Sequence, residues 1–219
     1  MPKTIALIHA SRAAVEPVMT YYAREAPEFD YVNLLEDGIM RVLDAGDQSR
    51  PHRRLLALIE TARDEYGASG ALVTCSALRR ETLARLRESA GIPIVKIDEP
   101  MAREAVEAGP RIGVVVTFPP TAAVTRRLLE EAAADAGKRI ELIEEVSPEA
   151  LQALLAGDLV THDTMLATAV HRCAGHMVDA IVLAQVSMAR LGEELRDEIH
   201  TPIFTSLPSS LAEIRRLAG

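Results

Sequence analysis

The chain has 219 residues, is 48% hydrophobic and only 3% aromatic, and carries a formal net charge of −8. A chain of this length can bury one substantial core or two small ones, because domains commonly hold about 100–150 residues. The acidic balance, with no run of Lys or Arg longer than a pair, argues against nucleic acid as a partner. The start of the chain is unlike a signal peptide, and no apolar stretch reaches the roughly 18 residues of a membrane span, so we expect a cytoplasmic protein with no membrane partner.

The first half of the sequence alternates predicted strands with predicted helices. Short apolar runs predict strands over residues 4–9, 31–35 and 92–97, and a further strand that begins near Gly70 and ends at Cys75. Helical spacing predicts helices over residues 15–24, 39–43, 78–87 and 101–108, and one more along the face of Leu55, Leu58, Ile59 and Ala62. Regular alternation of this kind indicates an α/β fold with parallel sheets.

The pattern of the first half starts again at Pro110. Strands are predicted over residues 111–117, 179–185 and 201–204, and helices over residues 124–136 and 211–217. The repeat predicts two pseudo-symmetric, flavodoxin-like lobes with parallel sheets. We place the first lobe at residues 1–98, with the C-terminal helix 206–219 packing on it, and the second at residues 99–205.

Cys75 is the most suggestive single residue of the sequence. It follows a predicted buried strand and precedes a predicted helix, and a helix amino terminus favours a thiolate. The alternative is a structural role, because cysteine often behaves as a small buried hydrophobe. Cys173 fits that alternative, since Leu166, Val170, Cys173 and Met177 follow one apolar helical stripe. Two cysteines are too few for a disulfide framework.

Ligands of open α/β sheets bind beyond the carboxyl ends of the strands, so we expect a crevice between the two lobes. The residues that follow the strands provide a thiol, several hydroxyls and an imidazole, which suit a small carboxylate. They are His9, Ser11, Cys75, Ser76, Ala77, Thr117, Thr121, Gln185, Val186 and Ser187. The sequence lacks Gly-rich phosphate loops, spaced metal ligands and a lysine suited to a Schiff base, so we expect no metal and no cofactor.

Simpler roles compete with ligand binding at several of these positions. Ser11, Ser76, Thr121 and Ser187 could each cap a helix. His9 could be a strand-end histidine that bonds only to backbone. Three further histidines are expected to be surface or packing residues: His162, His171 and His176. The pairs at 130–131 and 144–145 are expected to be solvated glutamates on helices or loops.

The sequence resembles the aspartate/glutamate/hydantoin racemase superfamily over essentially the whole chain. The features that carry the resemblance are the duplicated unit, Cys75 after the third strand, the 117–121 segment and residues 179–191. The resemblance implies an oligomeric, cofactor-independent enzyme in which two cysteines face each other across the substrate. One cysteine removes the proton beside a carboxylate and the other returns a proton to the opposite face. Arylmalonate decarboxylases resemble the same fold but keep one cysteine, which protonates a single face.

The sequence departs from the racemase pattern at both cysteine motifs. The family's Cys-Asn-Thr appears here as Cys75-Ser76-Ala77, and the second cysteine is matched by Gln185. An amide cannot act as a proton-transfer base near neutral pH.

Three functions therefore stay open. The first is a racemase or isomerase acting at the α-carbon of a small carboxylic or amino acid, with Cys75 as one acid/base group and His9 as the other. The second is a single-cysteine lyase resembling arylmalonate decarboxylase, although few aromatic residues are present to build its apolar pocket. The third is a non-catalytic module that binds small acids.

Overall fold

The structure is a computed structural model that describes residues 2–44 and 49–218. In this part of the chain, eight strands alternate with ten α-helices. The strands are β1 (Lys3–His9), β2 (Phe29–Leu35), β3 (Ala68–Val73), β4 (Ile94–Lys96), β5 (Arg111–Val116), β6 (Glu141–Val146), β7 (Ala180–Leu183) and β8 (Ile203–Thr205). The helices are α1 (Arg12–Glu25), α2 (Ile39–Asp44), α3 (Ser49–Tyr66), α4 (Arg80–Ser89), α5 (Glu99–Ala108), α6 (Pro119–Asp135), α7 (Pro148–Leu155), α8 (Leu159–Gly175), α9 (Ala189–Glu194) and α10 (Ser206–Ala218).

The strands form two four-stranded sheets in which every pairing is parallel. The strand orders are β2-β1-β3-β4 and β6-β5-β7-β8, so the two sheets have the same topology. This is the strand order of the first four strands of a flavodoxin-like sheet. The prediction of an α/β protein with two similar parallel sheets is confirmed.

The first compact unit comprises residues 1–97 and 210–219. One face of its sheet is covered by α3 and α4, whose buried side chains pack against alternate residues of the strands. They include Leu55, Ile59, Leu83 and Leu86 from the helices and Ala6, Ile8, Ala71 and Val73 from β1 and β3. Alternation of this kind lets a central strand contribute to a core on each side of the sheet.

The C-terminal helix α10 returns to the first unit, where it packs beside α1. The hydroxyls of Tyr22 and Ser210 are hydrogen-bonded at 2.8 Å, and both residues are fully buried. At the surface, Arg215 donates from Nε to Glu28 at 2.7 Å. These contacts join residues separated by almost the whole chain length.

The second unit comprises residues 98–209. Helices α5 and α6 cover one face of its sheet, where they pack against Ile112, Val114 and Val116 of β5. Helices α7, α8 and α9 cover the other face, where Val115, Ile181 and Leu183 are buried. The sheet is therefore enclosed on both sides, as parallel sheets usually are.

The structure corrects several predicted element boundaries. Helix α4 begins at Arg80 rather than at residue 78, and α6 begins at Pro119 rather than at residue 124, because proline is well tolerated in the first helical turn. Met177 does not continue the stripe of α8: it has a φ of 54° and is 80% exposed.

The glutamate pair 144–145 lies in a strand, not on a helix or loop as expected. Strand β6 is at the edge of the second sheet, where Glu144 and Glu145 are half-buried. They bond to Arg126 at 2.5 Å and to Arg172 at 2.8 Å, respectively. The two arginines therefore form ion pairs with the two glutamates, whose charges had led us to expect a solvated surface.

Among the helices of the described ranges, none is both long enough and apolar enough to cross a bilayer.

We predict that Gly109→Ala destabilises the second unit by about 1–3 kcal/mol, through overpacking. Gly109 has extended backbone, so the cost comes from contact: an added Cβ would lie 2.6 Å from Oδ2 of Asp179 and closer still to its Cβ and Cγ. That carboxylate already accepts from the backbone N–H of Arg111 at 2.8 Å. Urea unfolding measures the change.

The matched control is Gly175→Ala at the end of α8, where an added Cβ meets nothing within 4 Å. It should leave stability unchanged or raise it by a few tenths of a kcal/mol to about 1 kcal/mol. Equal effects of the two substitutions would contradict the contact explanation.

Candidate functional site

Cys75 lies just beyond the carboxyl end of β3, at the edge where an open α/β sheet binds its ligands. It is 3% exposed and packs at the margin of the core of the first unit. A turn follows it, in which the N–H of Leu78 donates to the carbonyl of Cys75 at 3.2 Å. Helix α4 starts only after this turn, so the expected position of Cys75 at a helix amino terminus is wrong.

The neighbour of Cys75 in the chain, Thr74, is bonded to the imidazole of His9. Ile8 and Val73 are paired across β1 and β3, which makes the next residues along, His9 and Thr74, neighbours too. Nδ1 of His9 lies 3.1 Å from Oγ1 of Thr74. On the other side, Nε2 of His9 lies 3.0 Å from Oδ1 of Asn33 in β2. His9 thus bridges its two neighbouring strands, and its partner Thr74 is the residue before Cys75 in the chain.

The two contacts of His9 are consistent with one neutral tautomer. The amide nitrogen of Asn33 donates to Sδ of Met19 at 2.9 Å, which leaves Oδ1 to accept from Nε2–H of His9. Nδ1 then accepts from the hydroxyl of Thr74 at 3.1 Å, and the carbonyl of Ile8, 3.4 Å away, is the longer alternative acceptor for the same hydroxyl. His9 is fully buried, and burial lowers the pKa of its imidazole, although the hydrogen bond with Asn33 works in the opposite direction. His9 is therefore a neutral, doubly hydrogen-bonded residue at neutral pH.

The other predicted residues of the first unit differ in exposure. Ser11 is exposed and caps α1, where its hydroxyl accepts from the N–H of Ala13 at 3.3 Å. Ser76 and Ala77 form the half-buried turn after Cys75. Ser76 is thus near the thiol in the chain, whereas the hydroxyl of Ser11 already has a capping role.

Thr117 and Gln185 are brought together at the carboxyl edge of the second sheet. Val115 and Leu183 are paired across β5 and β7, and two residues further on the side chain of Gln185 reaches Thr117. Oε1 of Gln185 accepts from the backbone N–H of Thr117 at 2.7 Å and from its hydroxyl at 3.0 Å. Thr117 is 1% exposed. Its donors therefore hold Gln185 in place.

The remaining predicted residues of the second unit lie in the short helical turns after these strands. Thr121 is half-buried in the first turn of α6, which is capped by Phe118 without any side-chain hydrogen bond. Val186 is half-buried and Ser187 is exposed, and both lie in the 3-10 turn that follows Gln185.

Sequence reasoning missed three polar residues that the structure adds to these edges. Asn33 and Thr74 hold His9, and only the strand register links them. The third is His162, which is 1% exposed in the first turns of α8. The apolar stripe of that helix would have reached His162 if it had been extended four residues from Leu166 toward the amino end.

Cys173 is buried deep in the second unit, in agreement with its predicted structural role. Its side chain packs against Gly113 of β5, where an added Cβ would lie 3.0 Å from the Cβ of Cys173. Burial raises the pKa of its thiol to about 11, and the carboxylate of Glu145 adds to the rise. In the described ranges 2–44 and 49–218, no group of three or more His, Cys, Asp and Glu side chains is arranged to hold a metal ion.

Comparison with known families gives a match to Asp/Glu/Hydantoin racemase over residues 8–213, which is nearly the whole chain. The chain belongs to this family. A search of curated protein sequences gives no significant match.

Solved structures with the same fold include proteins described as racemases and as an arylmalonate decarboxylase. An aspartate racemase homologue from Pyrococcus horikoshii superposes with a TM-score of 0.73 at 14% identity, covering 100% of this chain and 99% of the other. Allantoin racemase from Klebsiella pneumoniae gives 0.70 at 20% identity, covering 99% and 87%. Unliganded arylmalonate decarboxylase gives 0.64 at 16% identity, covering 99% and 93%. At these identities the superpositions show only a shared fold, and the evidence for family membership is the match to the racemase family.

We predict that His9 makes the stability of the protein depend on pH below its ordinary pKa of about 6.5. The folded-state pKa of His9 is lowered, so between 6.5 and that pKa the unfolded chain binds more protons than the folded one. Its contribution is fully present above pH 6.5 and is lost as the pH falls toward the folded-state pKa, by at most about 1.4 kcal/mol per pH unit.

Chemical unfolding from pH 7.5 to 5 should therefore show a steeper loss of stability in the wild type than in His9→Gln. His171→Gln is the control, because that side chain is 54% exposed, and its slope should match the wild type. Parallel slopes for wild type and His9→Gln would refute the prediction.

Proposed function

We propose that this protein is a cofactor-independent racemase or isomerase that moves a proton at the α-carbon of a small carboxylic or amino acid. Cys75 is one of its acid/base groups. The proposal rests on one observation above the others: within a racemase family, the thiol lies at the carboxyl edge of the first sheet, directly after the residue that His9 bonds.

Proton transfer at the α-carbon requires a base and groups that stabilise the negative charge of the intermediate. The α-proton of a carboxylate is very weakly acidic, so removing it requires a well-placed base and donors for the negative charge that develops on the carboxylate oxygens. A thiolate provides the base. Ser76, one residue after Cys75, supplies a hydroxyl that we propose as a carboxylate ligand.

Gln185 is suited to hold a carboxylate rather than to transfer a proton. Its Oε1 is fixed by Thr117, which orients the amide so that its NH2 group points away from that contact. We propose that this NH2 group donates to the substrate. The predicted role of Thr117 as a direct ligand then becomes one of orienting Gln185.

For His9 we propose a positioning role in place of the acid/base role expected from sequence. Both ring nitrogens have partners in the first unit, and the ring would have to give up one of them to transfer a proton to substrate. Through Thr74, His9 holds the backbone that carries Cys75. The roles of Ser11, Thr121, Val186 and Ser187 as substrate contacts stay predictions.

A single-thiol lyase is the second candidate, and Gln185 is the observation that favours it. If no acid/base group of the second unit serves the substrate, Cys75 can protonate only one face of a carbanion. Loss of carbon dioxide from a substituted malonate would supply that carbanion.

Proton NMR in heavy water distinguishes the candidates. The purified protein is incubated with both enantiomers of aspartate and glutamate, with hydantoins and with aryl- and alkylmalonates. The racemase predicts exchange of an α-proton with inversion, and the lyase predicts carbon dioxide release with deuterium on one face. Cys75→Ala should lose at least about 100-fold in the rate of enantiomer interconversion or of carbon dioxide release, the scale of a general acid/base group. Cys173→Ala, which removes the other buried thiol, should retain activity. No reaction with any compound would favour a binding module.

Alkylation tests the thiol independently of any turnover. With iodoacetamide at pH 7.5 and mass spectrometry of the peptides, Cys75 should react faster than Cys173, whose raised pKa keeps it almost entirely as the thiol. A substrate from the NMR panel should protect Cys75 and leave Cys173 unchanged. Equal rates, or no protection, would speak against a reactive Cys75.

A further inference from the structure

His162 lies on the buried face of α8, not at the surface. It is 1% exposed and precedes Leu166 by one helical turn, and Leu166, Val170 and Cys173 continue the same buried stripe. A histidine at the end of such a stripe is desolvated on the side that faces the sheet.

The direction of α8 puts His162 at the carboxyl edge of the second sheet. Just past the carboxyl end of the helix, the carbonyl of His176 accepts from Arg111 at the start of β5, at 3.2 Å. Near its amino end, Asp163 is paired with Arg190 of α9, which follows β7. The helix therefore runs antiparallel to the strands.

The rise per residue of the helix and of the strand locates His162 more closely along the strand direction. Cys173 packs against Gly113, and His162 lies eleven residues earlier, which is about 16 Å along a helix. Thr117 lies four residues beyond Gly113, which is about 13 Å along a strand. His162 is thus level with, or just beyond, the Thr117–Gln185 pair.

The ring of His162 is oriented for acid/base chemistry. Its Nδ1 lies 2.9 Å from Oδ1 of Asp163, and the other carboxylate oxygen bonds to Arg190. Burial favours the protonated form of Asp163, but the hydrogen bonds from Arg190 and His162 outweigh this and lower its pKa. An ionised Asp163 accepts from Nδ1–H, which leaves Nε2 as the nitrogen that takes up and releases a proton.

Nε2 of His162 is buried and has no hydrogen-bond partner among the residues that the structure describes. This contrasts with His9, both of whose ring nitrogens are bonded. A buried polar atom left without a partner calls for an explanation, and a ligand is one.

We propose that His162 is the acid/base residue of the second unit and that its Nε2 exchanges a proton with the α-carbon of the substrate. The assignment rests on the proposed racemase function, in which it replaces the second cysteine that Gln185 cannot replace.

The proton transfers balance as follows. The thiolate of Cys75 takes the α-proton, and the electron pair of the C–H bond passes into the carboxylate as an enediolate. Nε2–H of the His162 imidazolium then gives its proton to the opposite face of the carbon. The enzyme is left with a thiol and a neutral imidazole, and exchange with water restores the starting forms. In the reverse direction neutral Nε2 takes the proton and the Cys75 thiol returns one.

The test is a reciprocal pair of variants in heavy water, with a substrate that the wild type racemises. In His162→Asn the amide nitrogen can still donate to Asp163, while Nε2 is lost. It should exchange the α-proton of one enantiomer only, with retention of configuration, and interconvert the enantiomers at least about 100-fold more slowly than the wild type. Cys75→Ala should retain exchange of the other enantiomer. His171→Asn, 54% exposed on the same helix, should behave as the wild type.

The outcomes separate the assignment from the function. If His162→Asn racemises the substrate at the wild-type rate, the assignment of His162 is wrong and the proposed racemase function is unaffected. The same conclusion follows if a folded His162→Asn variant exchanges the α-proton of neither enantiomer. A wild type that only decarboxylates malonates, or that exchanges nothing, overturns the racemase and the assignment with it.

If circular dichroism shows that His162→Asn does not fold, Asp163→Asn decides. Loss of the carboxylate removes the group that orients Nδ1–H, so interconversion should fall at least about tenfold, with one-sided exchange retained. Wild-type interconversion in Asp163→Asn would overturn the assignment.

Discussion

The polarity of a parallel sheet is the constraint on which the chemistry of this protein depends. All strands of a sheet end at one edge, and the helices that return the chain begin at that same edge, so polar residues from distant parts of the sequence meet there. In the first unit this brings Asn33, Thr74 and His9 together, and Cys75 follows Thr74 in the chain. In the second it brings Gln185 to Thr117, with His162 level with them on α8. Neither cluster needs a specialised loop.

The two buried histidines show how one residue type serves two purposes. The ring of His9 is bonded through both nitrogens to neutral partners, which fix its position, and burial lowers its pKa more than the bond with Asn33 raises it. The ring of His162 is bonded through one nitrogen to a carboxylate that is itself held by an arginine. The carboxylate on one side orients the ring, and the unbonded nitrogen on the other side is the one that we propose passes the proton on. Both rings are buried, and they differ in their partners: His9 has one on each ring nitrogen, whereas His162 has one on Nδ1 alone among the described residues.

Much of the fold could be predicted from sequence, because buried parallel strands are short apolar runs and the helices between them have a clear period. Strand β6 was not predicted, because its glutamates give it a polar sequence. Glu144 and Glu145 are paired with arginines of the neighbouring helices α6 and α8. For the site, the sequence indicated the position of Cys75 and the replacement at Gln185. It could not indicate the partners of His9, because those depend on which residues of separate strands lie in register. The inward orientation of His162 was within reach of sequence reasoning, because this residue lies one helical turn before Leu166 on the apolar stripe of α8.

The return of α10 to the first unit has a consequence for the order in which the protein can fold. The hydrogen bond between Tyr22 and Ser210 spans 188 residues of sequence, and the whole second unit lies between its two ends. During synthesis from the amino end, the second unit is complete once the first turn of α10 has been made, whereas the first unit must wait for the rest of α10 to pack beside α1. The half of the protein that carries Cys75 is thus the last to close, and during that interval its apolar surface is the part of the nascent chain that a chaperone would bind.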